Sequence, residues 1–243
     1  MIIPVNAGVM NILITGAGKG IGLELVKLFA QESGNNIIAV SRNTAAIHHW
    51  LGHERGNTLP FAGIFPFTFD LLAGDLQQLE EFTALHTNRL DVVINNAGFL
   101  LNKPWYDISR EDFDRVFHTN VRAVLETTQA LFPLLGEGSH ILNISSMGGV
   151  QGSVKFPGLS VYSASKAAVA VLTECLALEM KESGIAVNAL ALGAVQTEML
   201  SEAFPGYQAP LTAAQMASFI AQFARTGHRF FNGKVIPVAL STP

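Results

Sequence analysis

The chain has 243 residues, 49% of them hydrophobic and 14% charged, with a formal net charge of −4. That is enough apolar chain for one large core, and a scattered, slightly acidic charge offers no surface suited to nucleic acid or to an anionic membrane. One cysteine, Cys175, rules out an internal disulfide; its place in an apolar helical run predicts a small buried residue, and a reducing cytoplasm is the expected compartment.

Residues 1–9 lack a basic leader and a long apolar core, so they do not resemble a signal peptide. They read as an extension ahead of a domain that begins near Met10-Asn11. No unbroken apolar run approaches the ~20 residues of a membrane helix. A first strand is expected at Ile12–Thr15, then a turn with glycines at alternate positions, Gly16, Gly18, Gly20 and Gly22, then a helix near Ile21–Glu32. Such a turn lets backbone approach a ligand, and the N–H groups opening the helix suit a phosphate. The competing reading is a corner whose glycines serve packing alone.

A second strand is expected at Ile37–Val40, followed by Ser41-Arg42. Thr44–Pro60 predicts a short helix carrying His48, His49 and His53; no carboxylate or cysteine keeps a ligand spacing with them, so a solvated face is preferred to a metal site. Strand three is expected at Phe65–Phe69, a helix at Asp75–His86 and strand four at Asp91–Ile94, ending in Asn95-Asn96-Ala97-Gly98. Ser109 and Asp112 form a capping box for one long helix, Arg110–Leu135. Strand five is expected at His140–Ile144, ending at Ser145-Ser146. A loop spans Met147–Ser160, and a second long helix Val161–Glu182. Strand six at Ile185–Ala191, a loop over 192–210, a helix at Thr212–Ala224 and a last strand at Lys234–Val238 complete one domain, 1–243. Alternating strands and helices predict an α/β fold, doubly wound, with a mostly parallel sheet of about seven strands. The polar clusters fall at the carboxyl ends of those strands, where such sheets bind ligands.

A dinucleotide fold often places an acid about 20 residues after the glycines to hold a ribose. Here that position holds Ser41-Arg42. Arg42 can pair with a 2′-phosphate, and Lys19 in the glycine turn adds a second cation, so the expected cofactor is NADP(H). Both could equally be ordinary solvated cations.

Tyr162 and Lys166 are four apart on one helix face. An ammonium beside a phenol lowers its pKa, which makes the pair a tuned proton donor and acceptor. Most such pairs are only surface neighbours. Ser146, at the end of strand five, can hydrogen-bond a carbonyl or alcohol oxygen; a turn serine is the plain alternative. Asn120 is an unfavourable residue in the middle of a helix, and by itself reads as exposed or core-bonded.

Taken together, the set resembles the short-chain dehydrogenase/reductase family over nearly the whole chain. The matching pieces are Thr15-Gly16-x-x-x-Gly20-Ile21-Gly22, Asp70, Asn95-Asn96-Ala97-Gly98, Asn120, Ser146 and Tyr162-Ser163-Ala164-Ser165-Lys166. The resemblance implies a single-domain Rossmann fold and an oxidoreductase acting on a small-molecule carbonyl or alcohol. It implies Tyr162 as general acid in reduction and base in oxidation, and Ser146 as the group positioning the substrate oxygen, with Ser145 as fallback. Lys166 would bind the nicotinamide ribose and lower the Tyr162 pKa, and Asn120 would hold a relay water. The cofactor would meet Gly16, Gly18, Lys19, Gly20, Ile21, Ser41 and Arg42, Asp70 and Leu71 at the adenine, and Asn96, Ala97 and Gly98 at its ribose. Gly193, Val195 and Thr197 would lie by the nicotinamide.

Three departures stand out. Leu192-Gly193 replaces the usual Pro-Gly and predicts a looser turn, with Val195 and Thr197 still in place. The Gln151–Ser160 loop is longer than common. The ending Phe231–Val238 lacks the Asp-Gly-Gly of many fatty-acid-type ketoreductases, which argues against a 3-oxoacyl carrier-protein reductase. The expected substrate pocket draws on Phe99, Leu100, Leu101, Trp105, Met147, Phe156, Met199, Phe204 and Tyr207, and suits a neutral, fairly apolar ketone or aldehyde. The two long helices, the second with Ala164, Ala167, Ala168, Ala170 and Ala177, predict a homodimer or homotetramer. A non-catalytic NADP(H)-binding sensor or scaffold and an NAD-dependent alcohol dehydrogenase are the alternatives.

Overall fold

The structure is a computed structural model and describes residues 9–54 and 63–240. The extension over residues 1–9, save its last residue, and the last six positions of 44–60 lie outside the described residues.

The elements run in the order β1 (Asn11–Thr15), α1 (Gly20–Ala30), β2 (Asn36–Ser41), α2 (Ala45–Glu54), β3 (Gly63–Thr68), α3 (Leu76–Ala84) and β4 (Val92–Asn95). Then come α4 (Arg110–Phe117), α5 (Ala123–Leu131), β5 (His140–Ser146), α6 (Ser160–Glu179) and β6 (Ala186–Leu192). The chain closes with β7 (Val195–Gln196), α7 (Glu198–Ala203), β8 (Leu211–Thr212), α8 (Ala213–Thr226) and β9 (Val235–Val238). Seven strands form one all-parallel sheet in the order β3-β2-β1-β4-β5-β6-β9, and β7 pairs with β8 in a small separate ladder.

An all-parallel sheet is covered on both faces, so its strands are apolar throughout and successive residues serve opposite cores. In β1, Ile12 and Ile14 join Leu25 and Phe29 of α1 and Ile220 of α8 on one face. Leu13, between them, joins Leu79 of α3, Leu131 of α5 and Leu176 of α6 on the other. Both edge strands carry a proline, Pro66 in β3 and Pro237 in β9. Gly63 and Phe69 donate their N–H to the carbonyls of Asn35 and Ser41, at 2.7 and 2.9 Å. The alternation therefore turns the nitrogen of Pro66 outward. Donation from Ala189 to Lys234 and from Gly193 to Val238 sets the same phase for Pro237, so neither ring costs a ladder bond.

The expected long helix over 110–135 is broken into parts. Ser109 and Asp112 do form the capping box of α4. Past α4, residues His118–Arg122 widen into a π turn that carries Asn120 inward to full burial. After α5, Pro133 sits in a 3-10 turn that ends the run. The 192–210 segment holds a six-residue helix, too short to show a period. By length and mean hydropathy (1.4), α6 could cross a membrane. It packs instead on β5 and β6, with Ser165, Lys166 and Thr173 buried. Cys175 is exposed, against expectation. It lies two residues, about 200° of helix, past the buried Thr173.

His140, at the start of β5, is fully buried. Its Nδ1 lies 2.9 Å from the carbonyl of Ala224, and Asn188 Nδ2 lies 3.1 Å from its Nε2, so the ring is neutral with the proton on Nδ1. Burial takes its pKa from 6.5 down to about 4, and the nearby His228 is lowered too, first by burial and then by Arg229. Between those two values the unfolded chain binds the proton and the native ring does not. The ring's contribution to stability is therefore full well above pH 6.5 and falls as pH drops toward 4, by about 2 kcal/mol between pH 7 and 5. Urea unfolding of wild-type protein and His140→Gln at those two pH values will show a smaller acid loss in the variant.

Candidate active site

The carboxyl ends of the sheet strands open on one cavity of about 620 Å³. It is lined by the glycine turn, Ser41 and Arg42, Asp70 and Leu71, Asn96 to Gly98, Ser145 and Ser146, Tyr162, Lys166, Gly193 to Val195 and Thr197. Every residue expected to meet a cofactor lies on this lining. Asn120 alone of the catalytic candidates does not.

At the glycine turn, Gly16 and Gly20 adopt φ of 67° and 54°. A Cβ on Gly16 would stand 2.8 Å from the Cα of Ala97. The turn is pinned by two side chains from neighbouring strands. Thr15 Oγ1 accepts from the N–H groups of both Asn96 and Ala97, each at 3.1 Å. Asn96 Nδ2 donates back to the carbonyls of Thr15 and Gly16, at 3.0 and 3.3 Å. Lys19 stands at the N-cap of α1 with no side-chain cap and no acid in the first turn. The first turn of α1 thus brings no acid of its own to its opening N–H groups, which suits a pyrophosphate.

Arg42 is exposed beside the turn and has no ion-pair partner among the described residues. Lys19 does have one: its ammonium is 3.5 Å from Glu202 on α7, with both side chains mostly in solvent. Such a pair is worth little, so a phosphate can displace it. Asp70 Oδ1 accepts from Leu72 N–H at 3.0 Å, which fixes the turn after β3. Gly193 donates to Val238 at 2.9 Å, and its Cα is packed against Ala239, so the Leu192-Gly193 turn is held by β9 rather than loosened.

At the other end, β5 and α6 bring Ser146, Tyr162 and Lys166 together. Lys166 is buried, and its ammonium donates to the carbonyl of Ile144 at 2.8 Å. Burial lowers its pKa to about 8. Ser145 spends its hydroxyl on the Lys166 carbonyl at 2.8 Å, which leaves Ser146 as the free serine. Ser146 Oγ accepts from Gly148 N–H at 3.2 Å and bonds Tyr162. The Tyr162 phenol is pushed above its ordinary value by burial, with the Ser146 bond pulling the other way. The expected lowering by Lys166 is absent: its ammonium is 5.9 Å from the ring centre and already committed to Ile144.

Asn120 lies behind this site. Its Oδ1 accepts from Phe99 N–H at 2.7 Å, and its Nδ2 donates to the Phe99 carbonyl and to Ser165 Oγ, at 3.0 and 2.9 Å. Ser165 in turn donates to the Tyr162 carbonyl. The Asn120 amide therefore fixes the loop after β4 against α6, and both of its donor hydrogens are used within the protein. A second buried chain escaped the sequence reading: Asn95 Nδ2 to Asn143 Oδ1, Asn143 Nδ2 to Thr173 Oγ1, and Thr173 to the Val169 carbonyl, each 2.8–2.9 Å. Polar residues inside otherwise apolar strands were its only signal.

The substrate side is walled by Phe99, Leu100, Met147, Phe156, Met199, Phe204 and Tyr207. Leu101 and Trp105 are not on the lining, and Trp105 is 77% exposed. His48, His49 and His53 lie exposed on α2, away from the cavity, and no group of three or more metal-ligating side chains occurs among the described residues.

Comparison with known proteins fits this geometry. The family model for short chain dehydrogenase matches residues 10–208. Carbonyl reductase [NADPH] 2 of Sus scrofa is 34% identical over 197 residues, 80% of this chain and 75% of the relative. A short chain dehydrogenase from Shigella flexneri 2a str. 301, solved with NADP, superposes with a TM-score of 0.82 at 29% identity, over 94% of this chain and 96% of that one. The 3-ketoacyl-(acyl-carrier-protein) reductase of Brucella melitensis, solved with NADH, gives 0.80 at 27% identity, over 95% and 96%. The chain is an oxidoreductase of the short-chain dehydrogenase/reductase family.

Proposed function

We propose that the protein reduces a neutral, fairly apolar ketone or aldehyde with NADPH. The observation that carries this reading is the meeting of Ser146, Tyr162 and Lys166 at one end of a cavity whose other end is the glycine turn and Arg42. The nicotinamide of a bound dinucleotide would supply the hydride. The protein's own part is position and the proton. Ser146 Oγ accepts from Gly148 N–H, and its one hydroxyl hydrogen, which can serve the Tyr162 oxygen, can instead be given to the substrate oxygen. The Tyr162 phenol is protonated at neutral pH and so carries the proton that carbonyl reduction consumes. Lys166 uses one ammonium hydrogen on Ile144 and keeps two for the ribose hydroxyls. Asn120 and Ser165 hold Tyr162 and the loop bearing Phe99 in place.

Arg42 is the group that favours NADPH over NADH, because a 2′-phosphate there gains a guanidinium partner and meets no carboxylate. Relatives use both cofactors: NADP is bound in the Shigella structure and NADH in the Brucella one. Titration followed by cofactor fluorescence will show tighter binding of NADPH than of NADH, and Arg42→Asp will remove the difference. Equal binding of the two by the wild type would assign the chain to the NAD-dependent reading.

A retired site that only senses NADP(H) would bind cofactor and turn nothing over. In a screen of carbonyl compounds with NADPH, Tyr162→Phe will lower turnover about 10²- to 10⁴-fold. Its NADPH affinity will stay within a few-fold of wild type. Unchanged turnover in that variant would take Tyr162 out of the mechanism.

We also propose a homodimer or homotetramer assembled through α4 and α6, working in the reducing cytoplasm that the single cysteine permits. Phe113 of α4 and Val171 and Leu178 of α6 are 44%, 59% and 75% exposed, and Ala164 and Cys175 lie on that outer surface. Ala177 faces the core instead. Light scattering at micromolar protein will give a mass of two or four chains; a monomer would sink the proposal.

A further inference from the structure

Three chain segments enclose the substrate end of the cavity: the loop after β4, the loop after β5, and α7 with the residues that follow it. They supply the apolar wall residues Phe99 and Leu100, Met147 and Phe156, and Met199, Phe204 and Tyr207, respectively. These segments are far apart in sequence, and none is stapled to another by the sheet.

One residue joins all three. Asn102 belongs to the loop after β4, and its Nδ2 donates to the carbonyl of Ala203, the last residue of α7, at 2.8 Å. A helix end leaves carbonyls without partners, and α7 is only six residues long, so an outside donor there does much to hold it. The next residue, Lys103, donates its N–H to the carbonyl of Gly158 in the loop after β5, at 2.9 Å. Asn102 lies so close over Gly158 that a Cβ there would run into its Oδ1, and Gly158 also takes a φ of 84°. The base of this clamp is rigid. Lys103 Nζ bonds Asp112 Oδ2, and the same carboxylate closes the capping box of α4 with Ser109. On its other sides α7 is held by Gln196 Nε2, which donates to Ser201 Oγ at 3.0 Å, and by the exposed contact between Lys19 and Glu202.

We propose that Asn102 is a positioning residue for the substrate mouth: its amide fastens α7 to the rim formed by the loops after β4 and β5, and so sets the size of carbonyl compound the site accepts. The catalytic part of this inference rests on the carbonyl-reductase reading; the fastening does not. Asn102 touches neither the reacting groups nor the nucleotide lining.

The test uses Asn102→Asp, which keeps the shape and loses the donor, with Asn102→Ala as a second variant should the first fail to fold. Backbone hydrogen exchange is read at Phe204, Tyr207 and Ala209, whose N–H groups bond Leu200, Phe204 and Gln196. Loss of one hydrogen bond predicts exchange about five- to tenfold faster there, with β1, β4 and β5 unchanged. In steady-state assays the Michaelis constant for the smallest ketone the wild type reduces will rise about fivefold, more than kcat falls. Selectivity will move toward the largest ketone, and NADPH affinity will hold within twofold. Unaltered exchange at the three amides would overturn the proposal, as would exchange quickened equally throughout the sheet. Should no carbonyl compound be reduced by wild-type protein, the functional reading fails while the exchange result still decides the fastening.

Discussion

The buried ammonium of Lys166 is the constraint around which the reactive end of the molecule is arranged. A lysine head group out of water must be hydrogen-bonded, and the carbonyl of Ile144 provides for it. That single contact fixes α6 against the end of β5. Ser145 returns a hydrogen bond to the Lys166 carbonyl, so helix and strand hold each other from both sides. One helical turn earlier on the same face, Tyr162 then has one place to be, beside Ser146. Further along α6, Thr173 engages Asn143, and Asn143 engages Asn95 on the next strand. A shift of α6 by one residue would break all of these together and leave several buried polar groups unpaired.

The same economy governs the nucleotide end. Thr15 and Asn96 close the turns after β1 and β4 on each other with four hydrogen bonds, and the glycines supply the room. The rigid floor and the free cations then sit on different elements. Arg42 and Lys19 are in solvent, where their orientation costs little to change. Lys19 reaches across to α7, so the glycine turn and α7 share an exchangeable contact.

Much of this was legible in the sequence for physical reasons. Parallel strands buried on both faces appear as apolar runs, and their polar ends mark where the cavity must be. All seven principal strands and the glycine turn follow from that. The continuity of the first long helix did not: a π turn interrupts it at His118–Arg122, and Asn120 within that turn bonds Phe99, which is remote from it in sequence. The six residues of α7 are fewer than two turns, and the periodic signal needs more. Cys175 was misjudged because an apolar run was read without its helical phase, which the buried Thr173 and Leu176 define. The direction of the Tyr162 shift was missed because burial is a property of the packed site, whereas the Tyr-Lys spacing reports only proximity.

The prolines at the two margins of the sheet have a consequence for the life of the chain among its copies. The outward positions of β3 are Ile64, Pro66 and Thr68, and those of β9 are Val235 and Pro237. At each margin the row of donors is interrupted, and a ring stands where an incoming backbone would have to lie. Each proline therefore denies a neighbouring chain one of the bonds it would need to add an eighth strand at that margin. The two margins of the sheet are thus guarded by backbone chemistry, one missing donor and one ring at each.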